Sequence, residues 1–287
     1  MLTSLEPLLN GILLGGLYAV IGIGLALTFG IMRQVNLAHG ELMILSSYLS
    51  LVFISLLGLH PLLTLCLVFP SLFIIGYLIQ TYLFNRVLGR GMEPYLMVSF
   101  GLSIILQNAM LKVFTPDARS LKTSLAIQSL DVYGLFHVPV IYLVDFTGGI
   151  VLIGLLHFFM KKSYLGWAIR ASGDDLSTSK LMGVNTARVY AIAMGIAAVT
   201  AAMSGVLVGM TFTFYPHSGT QYLIVAFGVV IIGGMGSLWG TFLGGLILGV
   251  AQLMGGQFLG PGFQLLSGYL ILLIVLTIRP QGLLGRK

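Results

Sequence analysis

Charge is what this sequence has least of. Only 8% of its 287 residues are Asp, Glu, Lys or Arg, against about a quarter in an ordinary water-soluble domain. Water is therefore not its main solvent. Cysteine is almost absent: Cys66 stands alone in an apolar run, which excludes an internal disulfide and a cysteine cluster for zinc or iron. No GxxxxGK[ST] phosphate loop occurs, so any ATP and its magnesium fall to another subunit and no cofactor is assigned to this chain. HExxH and the serine-hydrolase elbow are missing as well; Ser99 and His157 lie in apolar runs without a motif around them, and no catalytic or metal-binding residue is assigned. The net charge of +6 is scattered between apolar runs rather than gathered on one face, which argues against nucleic acid. Met1 to Glu6 has no basic stretch leading into a short apolar core, so the first apolar run is expected to be a retained helix and not a cleaved leader.

Hydrophobic residues make up 57% of the chain and its mean hydropathy is +1.04, with apolar runs recurring from end to end. A helix needs roughly 20 apolar residues to cross a hydrocarbon core about 30 Å thick. Runs at about Pro7–Met32, Asn36–Leu57, Pro61–Phe84, Pro94–Leu111, Val138–Met160, Val189–Phe214, Tyr222–Gln257 and Phe263–Ile278 predict an all-α, polytopic transmembrane bundle of eight or nine spans. Residues 1–287 then form a single membrane domain. The seventh run is interrupted by Gly233-Gly234-Met235-Gly236-Ser237, which leaves one kinked helix or two. Glycines at helical spacing, such as Gly11 and Gly15 or Gly240 and Gly244, fit close helix packing in lipid.

Short cytoplasmic loops are enriched in Lys and Arg. With residues 161–188 placed inside and nine crossings, Arg33, Arg86, Arg90, Lys161, Lys162, Arg170, Lys180, Arg188, Arg279, Arg286 and Lys287 lie inside. Lys112, Arg119 and Lys122 lie outside. That bias predicts an external amino terminus, a cytoplasmic carboxyl terminus and two short crossings turning near Gly234. Residues 112–137 become an extracytoplasmic loop, where an external partner would dock.

Few polar residues interrupt the spans. In Asn36-Leu37-Ala38-His39-Gly40-Glu41, Glu41 is read as the sole acid deep in a span, at an insertion cost of at least about 2.5 kcal/mol. Asn36, His39 and Glu41 would not share one stripe of a regular helix, so a break at Gly40 is expected. Two readings stand for Glu41: a partner of Arg33 or a helix cap, or a group in the translocation pathway or its gate. Gln107 and Asn108, with Ser99 and Ser103 below Gln107 at intervals of four, either line a route or bond neighbouring helices. Tyr215, His217 and Gln221 bracket an external turn, and Gln252 suits an interhelical hydrogen bond.

Residues 161–188 are the longest polar stretch assigned to the cytoplasm. Asp174 and Asp175 suit the amino end of a short helix, Lys180 its carboxyl end and Gly183 its terminus. Leu181 and Met182 on so short a helix call for a protein partner.

Three stretches resemble the permease subunits of branched-chain amino acid ABC transporters, in the wider hydrophobic amino acid uptake group that includes urea and amide permeases. They are Gly24-Leu25-Ala26-Leu27-Thr28-Phe29-Gly30 running into Asn36–Glu41; Arg170 to Asp175 with Leu181-Met182-Gly183-Val184-Asn185-Thr186; and Gly233 to Gly240 with Gly244-Gly245. The resemblance implies a bacterial inner-membrane protein paired with a second, related permease subunit. It also implies two cytoplasmic ATPase subunits, which bind ATP and magnesium, and a soluble extracytoplasmic solute-binding protein. In such permeases the loop matching Asp174 to Gly183, with Arg170 before it, looks like the coupling helix that docks into the ATPase. Gly233, Gly234, Gly236, Gly240 and Gly244 are read from this sequence itself as serving the helix turn and packing. The resemblance leaves branched-chain amino acids, related amino acids, urea and short amides open. A stand-alone secondary transporter or channel is a further class, with few buried groups to couple an ion.

Overall fold

The computed structural model describes residues 5–132 and 136–285; Arg286, Lys287 and residues 1–4 of the amino terminus lie outside them. Eleven α-helices carry the fold: α1 (Leu5–Leu25), α2 (His39–Leu57), α3 (Pro61–Tyr82), α4 (Met92–Phe114), α5 (Val140–Lys162), α6 (Tyr164–Asp174), α7 (Leu176–Leu181), α8 (Thr186–Thr211), α9 (Gly219–Gly233), α10 (Leu238–Leu259) and α11 (Gln264–Ile278). Eight helical stretches are long and apolar enough to cross a membrane, and α9 is a shorter apolar helix. The chain is a multi-pass membrane protein. A π-helical segment, Ala26–Ile31, extends α1. One antiparallel hairpin, β1 (Ser129–Val132) with β2 (Phe136–Pro139), closes the expected 112–137 loop and runs two residues past it, pairing Leu130 with Val138.

Local chemistry sets the helix ends. Pro61 occupies the first turn of α3, whose preceding His60 side chain accepts from the Leu62 amide at 3.3 Å; proline lacks an N–H that the helix start would leave unpaired in any case. The Ser237 hydroxyl caps α10 through the Gly240 amide at 3.0 Å. Gly58 ends α2 in the left-handed conformation, φ +64°, where a Cβ would be strained.

Two ends of the bundle can be told apart by contact. At the hairpin end, Asn10 on α1 donates to the His137 carbonyl and Arg119 pairs with Phe214 just after α8. At the helical-loop end, Gly173 on α6 abuts Ile31, Gly236 lies near Gly30, and Gly234 abuts Gly285. The ends of the described chain, Leu5 and Gly285, therefore sit at opposite ends of the bundle.

The core is held by backbone contact. On α1, a methyl at Gly11 would meet the Val250 backbone at 2.7 Å, and on α10 Gly245 and Gly249 face Gly15 in return. Lipid supplies no hydrophobic drive for helix association, so such close approach, with its dispersion and Cα–H contacts, is what joins them. The seventh apolar run is two helices, α9 and α10, reversing through Gly234 and Gly236, at φ +101° and +85°. Only one of them is short: α9 has 15 residues and α10 has 22. Gly233 and Gly240 touch across the turn, and Gly244 packs on the Val229 carbonyl. Cys66 is exposed on α3.

Candidate translocation site and coupling loop

Two helices begin inside the bundle rather than at its surface. The His39 ring lies 3.3 Å from the Ile21 carbonyl, while α1 and its π extension run on to Ile31, roughly 15 Å further at the helical rise. Residues 32–38 must climb back into the bundle before α2 starts. The return is fixed by the Gln34 amide on the Thr28 carbonyl at 2.8 Å and by the Asn36 Oδ1 accepting from the Ala38 amide at 3.0 Å. The other segment does the same from the opposite side. Thr200 on α8 stands beside Gly24, as does His39, and α8 continues to Thr211, yet α9 begins at Gly219, in contact with Gly40. Residues 212–218 thus descend by about 15 Å. The amino ends of α2 and α9 meet inside the protein, pointing at each other.

Glu41 stands at that meeting. It is fully buried, its Oε1 accepts from Thr220 at 3.4 Å, and its Oε2 has no partner among the described residues. The Ser103 hydroxyl on α4 also faces it. An acid here complements the positive ends of two helix dipoles. The break that sequence reasoning placed at Gly40 falls instead at residues 32–38; Gly40 is inside α2 and is small because a side chain would collide with the Gly219 carbonyl. Arg33 is not the partner of Glu41. It lies 3.9 Å from Asp174 at the helical-loop end.

The remaining polar candidates separate. His39 is buried. Ser103 joins the Glu41 site, Gln107 is half-buried, and Asn108 is exposed and donates to the Ile104 carbonyl of its own helix at 2.8 Å. Gln252 accepts from the Tyr18 hydroxyl at 2.6 Å. Among the described residues no group of three metal-ligating side chains occurs.

At the helical-loop end, α6 and α7 form an elbow. Gly173 packs on the Ile31 carbonyl, the Tyr190 hydroxyl donates to the Ser172 carbonyl at 3.0 Å, and Arg170 is half-buried. Asp175 caps α7 by accepting from the Ser177 and Thr178 amides at 2.9 and 3.1 Å. Hydrogen bonds from the Thr178 and Ser177 side chains hold its carboxyl well below the usual carboxylate range. Asp174, expected in the same amino-terminal turn, is instead the last residue of α6. Gly183, at φ +84°, follows α7, and Leu181 and Met182 project into open space, 87% and 79% exposed.

The family described as "Branched-chain amino acid transport system / permease component" matches residues 8–276. The chain belongs to it. It is 33% identical to the high-affinity branched-chain amino acid transport permease BraD of Pseudomonas aeruginosa, over 98% of this chain and 96% of that protein. The corresponding permease LivH of Escherichia coli K12 is 30% identical over the same shares, and the fructose import permease FrcC of Rhizobium meliloti is 28% identical over 90% of this chain and 74% of its own length. No solved structure matches.

In this permease one buried acid escaped sequence reasoning. Asp145 on α5 is also fully buried, receiving the Thr211 hydroxyl at 3.0 Å while its Oδ1 is unpartnered among the described residues. Glu41 is therefore not the only acid inside a span. The signal was present: a lone Asp in the apolar stretch Tyr142-Leu143-Val144-Asp145-Phe146 is itself costly in lipid.

Proposed function

We propose that this permease is the membrane subunit of an ABC importer for branched-chain or related amino acids, working in the cytoplasmic membrane by alternating access. A soluble binding protein delivers solute at the hairpin end; two ATPases with their ATP and magnesium bind the helical-loop end; a second permease subunit completes the path. The observation that carries the reading is α7: a capped helix anchored through α6 to the end of α1, with two exposed apolar side chains at its carboxyl end, Leu181 and Met182, that nothing among the described residues covers. Such a knob suits a cleft in a partner. The names of BraD and LivH favour branched-chain amino acids over urea or short amides as solute.

The mechanism follows from the rigid link. ATP-driven movement of the ATPases displaces α7, and α6 transmits it to Ile31 and so to α1. Because α1 packs against both α10 and α8, the displacement reaches the junction of α2 and α9, where Glu41 lines or gates the path. Replacing Leu181 and Met182 together by Asp in the reconstituted complex should leave insertion intact and lower solute-stimulated ATP hydrolysis at least about tenfold, the equivalent of about 1.4 kcal/mol. Unchanged stimulation would remove α7 as the docking element.

A further inference from the structure

A cavity of about 540 Å³ opens at the helical-loop end, between the end of α5, the start of α10 and α6. Arg33, Lys161 and Arg170 line it, and Asp174 is the one acid on its wall, which leaves a formal excess of two positive charges, three minus one. The Arg33–Asp174 pair spans 3.9 Å with both side chains about 70% exposed, so water screens it and it neutralises little. Lys161 and Arg170 form no ion pair among the described residues. Arg33 is also one of two non-glycine residues with positive φ among the described residues, at +56°, an uncommon backbone state on the cavity wall.

Two aromatic rings also line the cavity. Trp239, in the first turn of α10 and 45% exposed, meets His157 of α5 edge to face at 6.1 Å. A tryptophan beside lysines at a helix end is the pattern of a membrane–water interface. Away from the cavity, Val151, Leu155 and Phe158 are more than half exposed and spaced as one stripe of α5; Lys162 continues that stripe and Lys161, three residues after Phe158, flanks it on the cavity side. On α10, Leu243 follows Trp239 at the next turn and is 40% exposed. Cationic head space thus runs directly into an apolar track.

We propose that this cavity binds the phosphate headgroup of an anionic phospholipid, with an acyl chain on the stripe Val151–Leu155–Phe158. Charge complementarity selects the headgroup: guanidinium and ammonium donors are matched to phosphate oxygens, and basic pockets at helix ends hold anionic lipid heads. The track distinguishes a lipid from a free anion, because inorganic phosphate has no use for it. The bound headgroup bridges α6, through Arg170, to the start of α10. The proposal rests on the membrane placement of the chain and not on the identity of its solute.

The test uses the complete transporter in nanodiscs of mixed phosphatidylglycerol and phosphatidylcholine, with retained lipids counted by native mass spectrometry. Phosphatidylglycerol should be retained over phosphatidylcholine. Lys161→Gln should lower that preference about fivefold, the effect of one cation near an anionic surface, and Lys161→Arg should restore it. Millimolar inorganic phosphate should displace none of it. Equal retention of the two lipids, loss of phosphatidylglycerol to free phosphate, or a preference unmoved by Lys161→Gln would each overturn the proposal. Should Lys161→Gln fail to assemble, the two-lipid comparison and phosphate competition on the unmodified transporter still decide. Solute uptake, measured separately, reports on transport and not on this site.

Discussion

Set side by side, α1 to α2 and α8 to α9 are the same device built in opposite directions. Each runs a long helix to one end of the bundle, turns back through seven residues, 32–38 and 212–218, and starts a second helix in the interior. Their local chemistry differs. The first return is polar and bonded, with Gln34 and Asn36 buried and His39 buried where α2 starts. The second carries Tyr215 and His217 stacked 5.5 Å apart, with Ser218 accepting from the Tyr215 amide. One geometry therefore has two sequence solutions, and only their meeting point demands the same residue: glycine, at 40 and 219.

The two returns are most sensitive where they touch, at the seam. Gly40→Ala should cost roughly 3 kcal/mol or more of stability, since its methyl would overlap the rigid Gly219 carbonyl. Gly219→Ala should cost about 1 to 2 kcal/mol, because its closest neighbours stand at 2.8 Å or beyond and include the Glu41 carboxyl carbon. Thermal unfolding of the detergent-solubilised transporter measures both, and equal costs would mean that the two half-helices do not meet as described.

The next effect sharpens the roles of the two buried acids. Glu41→Gln should slow uptake by on the order of tenfold without loss of assembly, whereas Asp145→Asn should change it by less than about twofold. Normal uptake in the first variant would return Glu41 to a structural role, capping α9 across the seam.

The smallest effect concerns α7. Asp175 has a depressed folded pKa, so its cap contributes fully above the ordinary carboxylate value near 4 and is lost only as pH falls through the lower, folded value. Coupling should therefore show no loss from this group between about pH 5 and pH 8. Asp175→Asn should preserve coupling and Asp175→Ala should lower it a few-fold, because both Asp and Asn accept from the first-turn amides and Ala does not. Solute-stimulated ATP hydrolysis across that range reads both.

The spans were legible because lipid leaves few options: some twenty apolar residues in a row are a helix, and the one-sided excess of Lys and Arg favoured a turn at Gly233-Gly234-Met235-Gly236-Ser237 over one kinked helix. The α7 cap was legible from Asp175 and Gly183, each of which does a local job. The interior starts of α2 and α9 were harder. Apolar sequence reads alike whether it climbs as extended chain or as helix, so Tyr222 marked the seventh run although the helix begins at Gly219. Asp174 was misplaced because adjacent acids look equivalent until the α6–α7 elbow separates them. Asp145 escaped notice because its donor, Thr211, is 66 residues away.

Cys66 gives the fold a practical use. It is the only thiol in the sequence and its side chain is exposed on α3. A single spin label or fluorophore can therefore be attached to this subunit without first removing other cysteines, and distances from it to a labelled partner would follow the transporter through its cycle.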